Sequence, residues 1–497
     1  MKKLTKLIAL VLCICICFSA CKGNENKEES TTETPEESTN AENSFAITDG
    51  KIVLPYNKTD GINPFFAESY ENIYLSMLIY ESLFSVDSNY DTIGVVADSI
   101  EVSGKTATVR VKNNVVCRGH ENLNAHDVVY SFNLAKASYY WGNNLDGITN
   151  VQAIDDYTVS VNLNFKDLYV AGKLNFPIVK KGTADSKTSV PAGSGKYFFA
   201  QDRLVSVADG NKTISLVETS NRESVEDALN IGMVDVFFSD LSDEQYKVSV
   251  GNTNKITLSN MIYLGLNSNR GALNKYIRSA IAAKIDSDNI ALSSYQGHAV
   301  GFKLPIVPES TIAGNITKIE TKGNKDLAND IIDRCGYTRY SGSAKTNGAY
   351  LLSFSLIVNK DNQFRVAAAY NIADSLAECG FLINVQVLSF ADYFERISSG
   401  KYDMYLGEVK LDGSMDISRF FMDGTKFSAG INKSEKAATE YFRYRAGEIS
   451  EKEYYDIFAE EYPFVPVAFR TGYTVLSEDI KTLDLKQMPF NLYGGIQ

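Results

Sequence analysis

Few residues of this chain have the types and spacing that chemistry at an active site requires. The chain has three histidines, His120, His126 and His298, and none lies in a His-x-x-x-His or His-Glu-x-x-His pair suited to zinc. No Gly-x-Ser-x-Gly turn is present that would expose a nucleophilic serine. Asp and Glu are abundant but scattered. We therefore predict no catalytic residue, no metal site and no cofactor.

The run Gly193-Ser-Gly-Lys196 is the stretch that most suggests phosphate binding. A phosphate-binding loop also needs Gly five residues before its Gly-Lys pair and Ser or Thr directly after the Lys. Val190 and Tyr197 stand at those positions. We therefore interpret the run as a tight turn between strands.

The composition favours a binding protein for a solute. The formal net charge is −12, and near −15 without the three lysines at the N-terminus, which argues against nucleic acid and against a basic membrane-binding face. The 29 Tyr and 26 Phe provide flat apolar surface, and the tyrosines add hydroxyl groups. Such side chains suit a closed cleft around a small ligand, although many of them must form the core.

Residues 1–20 have the pattern of an export signal. A basic head precedes the apolar stretch Leu7–Phe18, which is shorter than the roughly 20 residues that span a bilayer. Ser19-Ala20-Cys21 is typical of a bacterial lipoprotein cleavage site, with Phe18 where Leu is usual. We predict a lipid on Cys21 and attachment to the outer face of the cell membrane; the alternative is an ordinary signal peptide.

Residues 21–45 are rich in Glu, Ser and Thr and predict a disordered tether. Four cysteines follow the signal: Cys21, Cys117, Cys335 and Cys379. With Cys21 acylated, an odd number remains and none forms a CxxC pair, so we expect no disulfide framework. The remaining body of about 450 residues exceeds a single core and implies two or more domains.

Two regions predict secondary structure in detail. Asn124 and Asp127 predict a capped helix start, with Val128, Phe132 and Ala135 on its buried face. Ile73, Met77, Tyr80 and Phe84 also recur at helical spacing. The last third predicts an alternation of strands (Leu351–Val358, Leu382–Leu388, Tyr402–Val409) and helices (Val366–Cys379 with Tyr370 inward, Phe390–Ile397).

Several short motifs occur in the order and spacing of one family. They are Asn63-Pro64-Phe65, Ile79–Phe84, Ala125–Ser131, Pro191–Tyr197, Gly232–Val236 and Tyr276–Asp286. Together they resemble the bacterial extracellular solute-binding proteins of the oligopeptide/dipeptide class, family 5, which are the receptors of ABC importers. The turn Cys117–Asn122 departs from the family pattern, since it lacks the usual Pro.

The resemblance implies an α/β, two-lobed, periplasmic-binding-protein-like fold with an extra small β-rich domain and a hinge between the lobes. The expected division has three parts after the tether: lobe I from 46–78, 176–262 and 466–497, the small domain from 79–175, and lobe II from 263–465.

The resemblance also implies which residues bind the ligand. Two segments of peptide-binding members pair with the ligand backbone, and they correspond here to Glu68-Ser69-Tyr70 and Gly407-Glu408-Val409-Lys410. An Asp that holds the peptide ammonium in those members aligns with Leu411, with Asp412 beside it. Tyr263, in the strand expected to change lobes, completes the candidate ligand-binding set.

The predicted function is that of a monomeric, lipid-anchored receptor that captures a peptide or similar small solute by lobe closure and passes it to ABC permease and ATPase subunits. No nucleic acid is expected as a partner. One alternative keeps the fold with a metal chelate, a sugar or another nutrient as ligand. The others are a sensory or pheromone receptor and an extracellular hydrolase.

Overall fold

The structure is a computed structural model. It describes residues 52–242, 251–316, 319–431, 435–478, 480, 488–494 and 496. The predicted export signal 1–20 and the tether 21–45, with Cys21, lie outside the described residues. No helix among the described residues is long and apolar enough to cross a membrane.

Helices and strands alternate along the described chain. The helices are α1 (Tyr70–Ile79), α2 (Ala125–Ala137), α3 (Arg222–Asn230), α4 (Lys275–Lys284), α5 (Ser287–Asn289), α6 (Thr311–Gly314), α7 (Lys325–Arg334), α8 (Gln363–Ala377), α9 (Phe390–Ser398), α10 (Glu435–Arg445) and α11 (Glu451–Glu461). Short 3-10 helices lie at Gly142–Leu145, Val170–Lys173, Gly271–Leu273 and Ser418–Phe420, and a π-helix lies at Ile290–Ser294.

The strands are distributed along the whole described chain. They are β1 (Val53–Tyr56), β2 (Phe84–Val86), β3 (Thr92–Gly94), β4 (Ala97–Ser103), β5 (Thr106–Val111), β6 (Ile148–Asp155), β7 (Thr158–Leu163), β8 (Tyr197–Phe199), β9 (Arg203–Ser206), β10 (Thr213–Glu218), β11 (Val236–Ser239), β12 (Asn252–Leu266), β13 (Ala299–Gly301), β14 (Arg339–Ser341), β15 (Ala344–Thr346), β16 (Ser353–Asn359), β17 (Leu382–Leu388), β18 (Met404–Lys410) and β19 (Phe464–Leu476).

Three larger sheets organise these strands. One has four strands in the order β1-β10-β9-β8, and another is a four-stranded antiparallel sheet in the order β4-β5-β7-β6. The third, which we call the central sheet, has the order β11-β19-β12-β18-β16-β17, with β13 also paired to β19. β2–β3 and β14–β15 are separate hairpins.

The central sheet is covered on both faces in its second half. Strand side chains alternate between faces, so Leu356 and Leu406 enter one core and Ile357 and Tyr405 enter the other. Because β16 lies parallel to both β17 and β18, α8 and α9 are crossovers. The predicted α/β unit is confirmed here.

Strands β12 and β19 connect the central sheet to the N-terminal part of the body. Ile256 of β12 belongs to a core formed mainly by residues 52–214, which we call the N-terminal core, whereas Leu264 of the same strand belongs to a core of the central sheet. The pairing of β12 with β19 shifts register twice, between Thr257 and Met261 and between Ile262 and Tyr263. The first of these irregularities lies where the strand passes from one core to the other.

Helix α2 begins as predicted. The Asn124 side chain accepts hydrogen bonds from the first turn, and the Asp127 carboxylate accepts one from the Asn124 N–H at 2.9 Å, which forms a capping box. Val128, Phe132 and Ala135 are buried. The Asp127 carboxylate also accepts a hydrogen bond from Lys180 at 3.0 Å, so the cap joins the helix to the following segment.

Two details of the helical predictions were wrong. The spacing that included Tyr80 and Phe84 overextended α1, which ends at Ile79; Phe84 lies in β2. Tyr370 was expected inward on α8, but it is 50% exposed, because Ala369 and Ile372 occupy the buried face.

The Gly-rich turn at 193–195 explains where α1 ends. The Gly195 N–H donates a hydrogen bond of 2.9 Å to the Ile79 carbonyl. This carbonyl lies in the last turn of the helix, where no N–H of the helix can bond to it. A Cβ on Gly195 would lie 2.4 Å from the Ile79 carbonyl carbon, so only glycine allows the approach. Tyr80 then leaves the helix axis in an extended conformation.

Candidate functional site

A cavity of about 210 Å³ opens beside the end of strand β18. Its walls come from five places: the end of α1 with residues 81–86, the pair Tyr140-Trp141, the 175–177 and 195–196 segments, β12 with the end of β18, and the C-terminal residues. The wall residues include Tyr80, Glu81, Ser85, Tyr140, Trp141, Asn175, Lys196, Lys410, Asp412, Phe490 and Tyr493. The cavity therefore lies between the N-terminal core and the central sheet.

Three polar groups of the cavity wall have unused hydrogen-bonding capacity. The hydroxyls of Tyr80 and Ser259 and Oδ1 of Asn175 are buried and have no hydrogen-bond partner among the described residues. Burial raises the pKa of Tyr80, so its hydroxyl stays neutral and can both donate and accept. A ligand with polar groups would relieve the cost of leaving these atoms unpaired.

Two cations and two anions line the cavity, and one of the anions, Asp412, is paired with Lys173. Lys196 and Lys410 have no ion pair among the described residues, and the Lys410 ammonium lies 5.2 Å from the centre of the Tyr140 ring. The Glu81 carboxylate accepts a hydrogen bond from the Ser194 hydroxyl at 2.8 Å. A small zwitterion thus finds both signs of charge within one cavity.

The Asn63-Pro64 motif supports the aromatic wall. The Trp141 indole N–H donates a hydrogen bond of 3.0 Å to the Pro64 carbonyl, and the Tyr140 ring packs edge-on against Trp141 at 4.8 Å between centroids. The Asn63 side chain is fully buried and donates to the Ser186 carbonyl at 2.9 Å. The motif therefore fixes a wall of the cavity from behind.

The first predicted ligand segment has polar groups that the fold already uses. Ser69 is the N-cap of α1, and its N–H and hydroxyl both donate to the Asp60 carboxylate, at 2.9 and 2.7 Å. The Glu68 N–H donates to the same carboxylate, and its side chain is exposed. The Tyr70 hydroxyl donates to Asp240 at 2.8 Å.

A chain of polar contacts runs from Tyr70 to the second predicted segment. Arg470 of β19 lies between Asp240, at 4.0 Å, and Glu408 of β18, at 2.8 Å. Burial alone would raise the pKa of Asp240, but the attraction of Arg470 and the hydrogen bonds from Ser242 and Tyr70 together outweigh it and lower that pKa. The Asn260 amide also donates to Glu408, at 2.8 Å. The structure thus brings Tyr70 and Glu408 to one buried network.

Strand β18 has an open edge in the second predicted segment. Its pairing with β16 covers only Met404 to Leu406, whereas its pairing with β12 continues to Lys410. Beyond Leu406 no described strand pairs with β18 on the β16 side, so strand pairing leaves that edge open. Gly407 and Val409 are buried, and Lys410, at the end of the strand, is exposed and lines the cavity.

Tyr263 lies in the aromatic core on one face of the central sheet. It is 1% exposed, its hydroxyl is 3.1 Å from that of Tyr405, and it packs edge-on against Phe420 and Phe464. Tyr263 does not line the cavity. Its surroundings are those of a core side chain.

Asp412 lies at the cavity, and its carboxylate is occupied. Oδ2 accepts a hydrogen bond from the Lys173 ammonium at 2.6 Å, and Oδ1 accepts from the Ser414 N–H and hydroxyl at 2.8 and 2.7 Å. Lys173 also lies 3.0 Å from Asp416. A ligand ammonium would therefore have to displace a cation that is already paired.

A second buried cation completes this cluster. Arg445 binds Asp167 with two hydrogen bonds of 2.7 and 2.8 Å and donates to the Ser414 carbonyl at 2.7 Å. The three carboxylates of Asp167, Asp412 and Asp416 face the two cations of Lys173 and Arg445. All five side chains are almost completely buried.

The pKa values of Lys173 and Asp416 shift as expected for paired charges. Burial alone would lower the pKa of Lys173, but Asp412 and Asp416 outweigh it and raise that pKa. Burial alone would raise the pKa of Asp416, but Lys173 and Arg445 hold it well below its usual range. Both groups are therefore charged in the folded protein.

Close backbone contact places Lys173 in this cluster. A Cβ on Gly172 would lie 2.4 Å from the Gly413 carbonyl oxygen, and a Cβ on Gly413 would lie 2.4 Å from the Gly172 oxygen. The 3-10 helix Val170–Lys173 can therefore approach the turn after β18 only because both positions are glycine. The contact joins the part of the chain before residue 175 to the central sheet.

Sequence reasoning missed Lys173 and the C-terminal residues. A lysine inside the apolar run Val170-Ala-Gly-Lys-Leu174 was a signal, since a buried lysine needs an anion. Nothing in the sequence around Phe490 or Tyr493 indicates that these residues line a cavity formed by segments some 400 positions earlier in the chain. Among the described residues, no group of three His, Cys, Asp or Glu side chains is placed to hold a metal ion.

Fold and cavity together define a two-lobed α/β binding protein, and comparison with known proteins identifies its family. The model of the "Bacterial extracellular solute-binding proteins, family 5 Middle" matches residues 64–429. The chain belongs to this family of bacterial extracellular solute-binding proteins, whose members are binding proteins and not enzymes. The predicted fold class is thereby confirmed.

Solved structures share the fold at low sequence identity. NikA from Brucella suis, in complex with Fe(III)-EDTA, is 16% identical, with a TM-score of 0.65 over 89% of this chain and 98% of that one. The oligopeptide-binding protein AppA from Bacillus subtilis, in complex with a nonapeptide, is 18% identical, with a TM-score of 0.56 over 90% and 98%. The unliganded, open MppA periplasmic murein tripeptide binding protein is 15% identical, with a TM-score of 0.67 over 88% and 96%.

Proposed function

We propose that this protein captures a short peptide, or a small solute of similar chemistry, in the cavity beside β18 and delivers it to the permease of an ABC importer. The observation that carries the proposal is the open edge of β18 beyond Leu406, which ends in the cavity at Lys410. An extended ligand can pair with such an edge through backbone hydrogen bonds alone.

The cavity chemistry supports a peptide-like ligand. Lys196 and Lys410 provide cations for a carboxylate, and Glu81 provides an anion for an ammonium group. The aromatic wall of Tyr140 and Trp141 suits apolar side chains. Among the structural neighbours, AppA holds a nonapeptide and MppA is named for a murein tripeptide.

A ligand library tests the proposal. We expect at least one class of short peptides to raise the melting temperature, because a ligand that binds only the folded state stabilises it by mass action. Each peptide should be measured in free-amino and N-acetylated form. We expect a larger shift for the free-amino form, because the Glu81 carboxylate can pair with the ligand ammonium, whereas Lys173 already occupies the Asp412 carboxylate.

The outcomes of this experiment separate the ligand classes. A preference for the free amine that is lost in Asp412→Asn but kept in Glu81→Gln would assign the ammonium role to Asp412 instead of Glu81. A library without any stabilising peptide would exclude the peptide function. Fe(III)-EDTA and nickel–histidine should be included, because chelates of these kinds are bound in the structures of NikA from Brucella suis and NikZ from Campylobacter jejuni.

We also propose that Cys21 carries the lipid that holds the protein at the membrane. The support is the sequence Ser19-Ala20-Cys21 after a short apolar stretch; these residues lie outside the described part of the chain. We expect Cys21→Ser to move the protein from the membrane fraction to the soluble fraction of the expressing cells. Retention of the variant in the membrane fraction would exclude the lipid anchor.

A further inference from the structure

The C-terminal residues fold back into the N-terminal core. Met488, Leu492, Tyr493 and Ile496 are buried in the same core as helix α1. The Tyr493 ring packs edge-on against Tyr74 of α1, with 6.2 Å between centroids. Residues 489–491 are therefore held between buried side chains on both sides.

Between these anchors, Phe490 faces the cavity. Phe490 is half-buried and packs edge-on against Tyr90, with 5.1 Å between ring centroids. Next to it, the Pro489 carbonyl accepts a hydrogen bond of 3.3 Å from the Tyr74 hydroxyl. Backbone and ring are thus both held in place, so Phe490 forms a fixed wall.

The volume that this wall leaves is small. The cavity, at about 210 Å³, is smaller than the roughly 300–1,000 Å³ of pockets that hold drug-sized ligands. The remaining space suits an amino acid or a dipeptide better than a long peptide.

We propose that Phe490 determines the upper size of the solute by closing one side of the cavity. This proposal rests on the proposed function, because it takes the cavity to be the site where the solute binds. The segment that carries Phe490 is anchored in the N-terminal core, while the Phe490 ring packs against the core on one face of the central sheet. Lys410, at the end of the open edge of β18, and Phe490 line the same cavity, so an extended ligand that starts at Lys410 enters a space that the Phe490 ring bounds.

The binding test uses two substitutions with opposite effects. Phe490→Ala removes the ring and should improve binding of tetra-alanine relative to di-alanine by at least tenfold. Phe490→Trp enlarges the side chain and should weaken di-alanine binding. Phe302→Ala is the matched control, because Phe302 is also half-buried against one ring, that of Phe469, and lies outside the cavity. If the wild type and the three variants all had the same affinity for tetra-alanine relative to di-alanine, the proposal would be overturned.

A second measurement needs no ligand. In the Cys335→Ser background, Ser85→Cys places a thiol on the cavity wall, while the native Cys117 and Cys379 are buried. The rate of labelling by a bulky fluorescein maleimide is compared with that by methyl methanethiosulfonate, with and without Phe490→Ala. We expect the ratio of bulky to small reagent to rise at least tenfold in the Ala variant.

The two measurements distinguish the failures. An unchanged labelling ratio would overturn the role of Phe490, even if the wild-type protein binds peptides. If the labelling ratio rises in Phe490→Ala but no variant binds a peptide, Phe490 limits access to the cavity and the peptide function is excluded. The parent without Ser85→Cys corrects for reaction at native thiols.

Discussion

Replacement of Lys173 by Met is expected to lower the free energy of unfolding by about 3–5 kcal/mol, as the loss of one partner from a buried ion pair typically does. The Lys173 ammonium is the shared partner of Asp412, at 2.6 Å, and Asp416, at 3.0 Å, and it is 2% exposed. Without it, both carboxylates remain buried beside each other, with Arg445 as the remaining cation of the cluster.

Chemical denaturation of Lys173→Met and of a matched surface variant measures this effect. Lys452→Met is the control, because Lys452 pairs with Asp456 one helical turn away and both side chains are more than half exposed. Such a pair contributes about 0.3–0.5 kcal/mol. An equal, small loss in both variants would mean that the buried cluster adds nothing to stability.

A triple variant separates lost packing from unpaired charge. Lys173→Met combined with Asp412→Asn and Asp416→Asn leaves only the balanced pair of Asp167 and Arg445, so most of the lost stability should return. Failure of the triple variant to recover any stability would show that the contribution of Lys173 is steric.

The effect of Lys173 should also depend on pH. The lowered pKa of Asp416 contributes stability above its unfolded value of about 4, and this contribution is lost as the pH falls through the folded value. The raised pKa of Lys173 contributes stability below about 10.4, lost as the pH rises through the folded value. In Lys173→Met the Asp416 pKa rises, so the deficit should be smaller at pH 4.5 than at pH 7.5.

The sequence predicted best those features that local patterns determine. The capping box at Asn124 and Asp127 and the strand Leu382–Leu388 have the predicted positions, because a cap and a strand depend on residues a few positions apart. The end of α1 was missed, because the Gly195 backbone, which terminates the helix, lies far away in sequence. Helical spacing continued past the end that a tertiary contact imposes.

The candidate site divides in the same way. The segment ending at Lys410 was placed from the resemblance alone, and it reaches the cavity. The partner of Asp412 was beyond prediction, because the Gly172–Gly413 contact that positions Lys173 joins residues more than 200 positions apart. The wall formed by Phe490 likewise depends on the packing of Tyr493 against α1.

Replacement of Arg470 by Met is expected to lower the free energy of unfolding by roughly 2–3 kcal/mol and to weaken solute binding. Arg470 lies on β19, one of the two strands shared by the N-terminal core and the central sheet, and it separates the carboxylates of Asp240 and Glu408. The expected loss lies below that for Lys173, because these carboxylates keep some exposure and Arg365 remains 3.9 Å from Glu408.

The control for Arg470 is Arg443→Met, which removes an arginine from two carboxylates, Glu440 and Glu448, on the surface. Exposed pairs of this kind contribute about 0–1 kcal/mol.

Arg470→Lys keeps the charge but loses the planar fork, so it should recover stability in part. The network joins Tyr70 to Glu408 across the two strands, so Arg470→Met should also reduce the ligand-induced rise in melting temperature, whereas Arg443→Met should leave it unchanged. If both variants bind solute like the wild type, Arg470 supports the fold without positioning the two walls of the cleft.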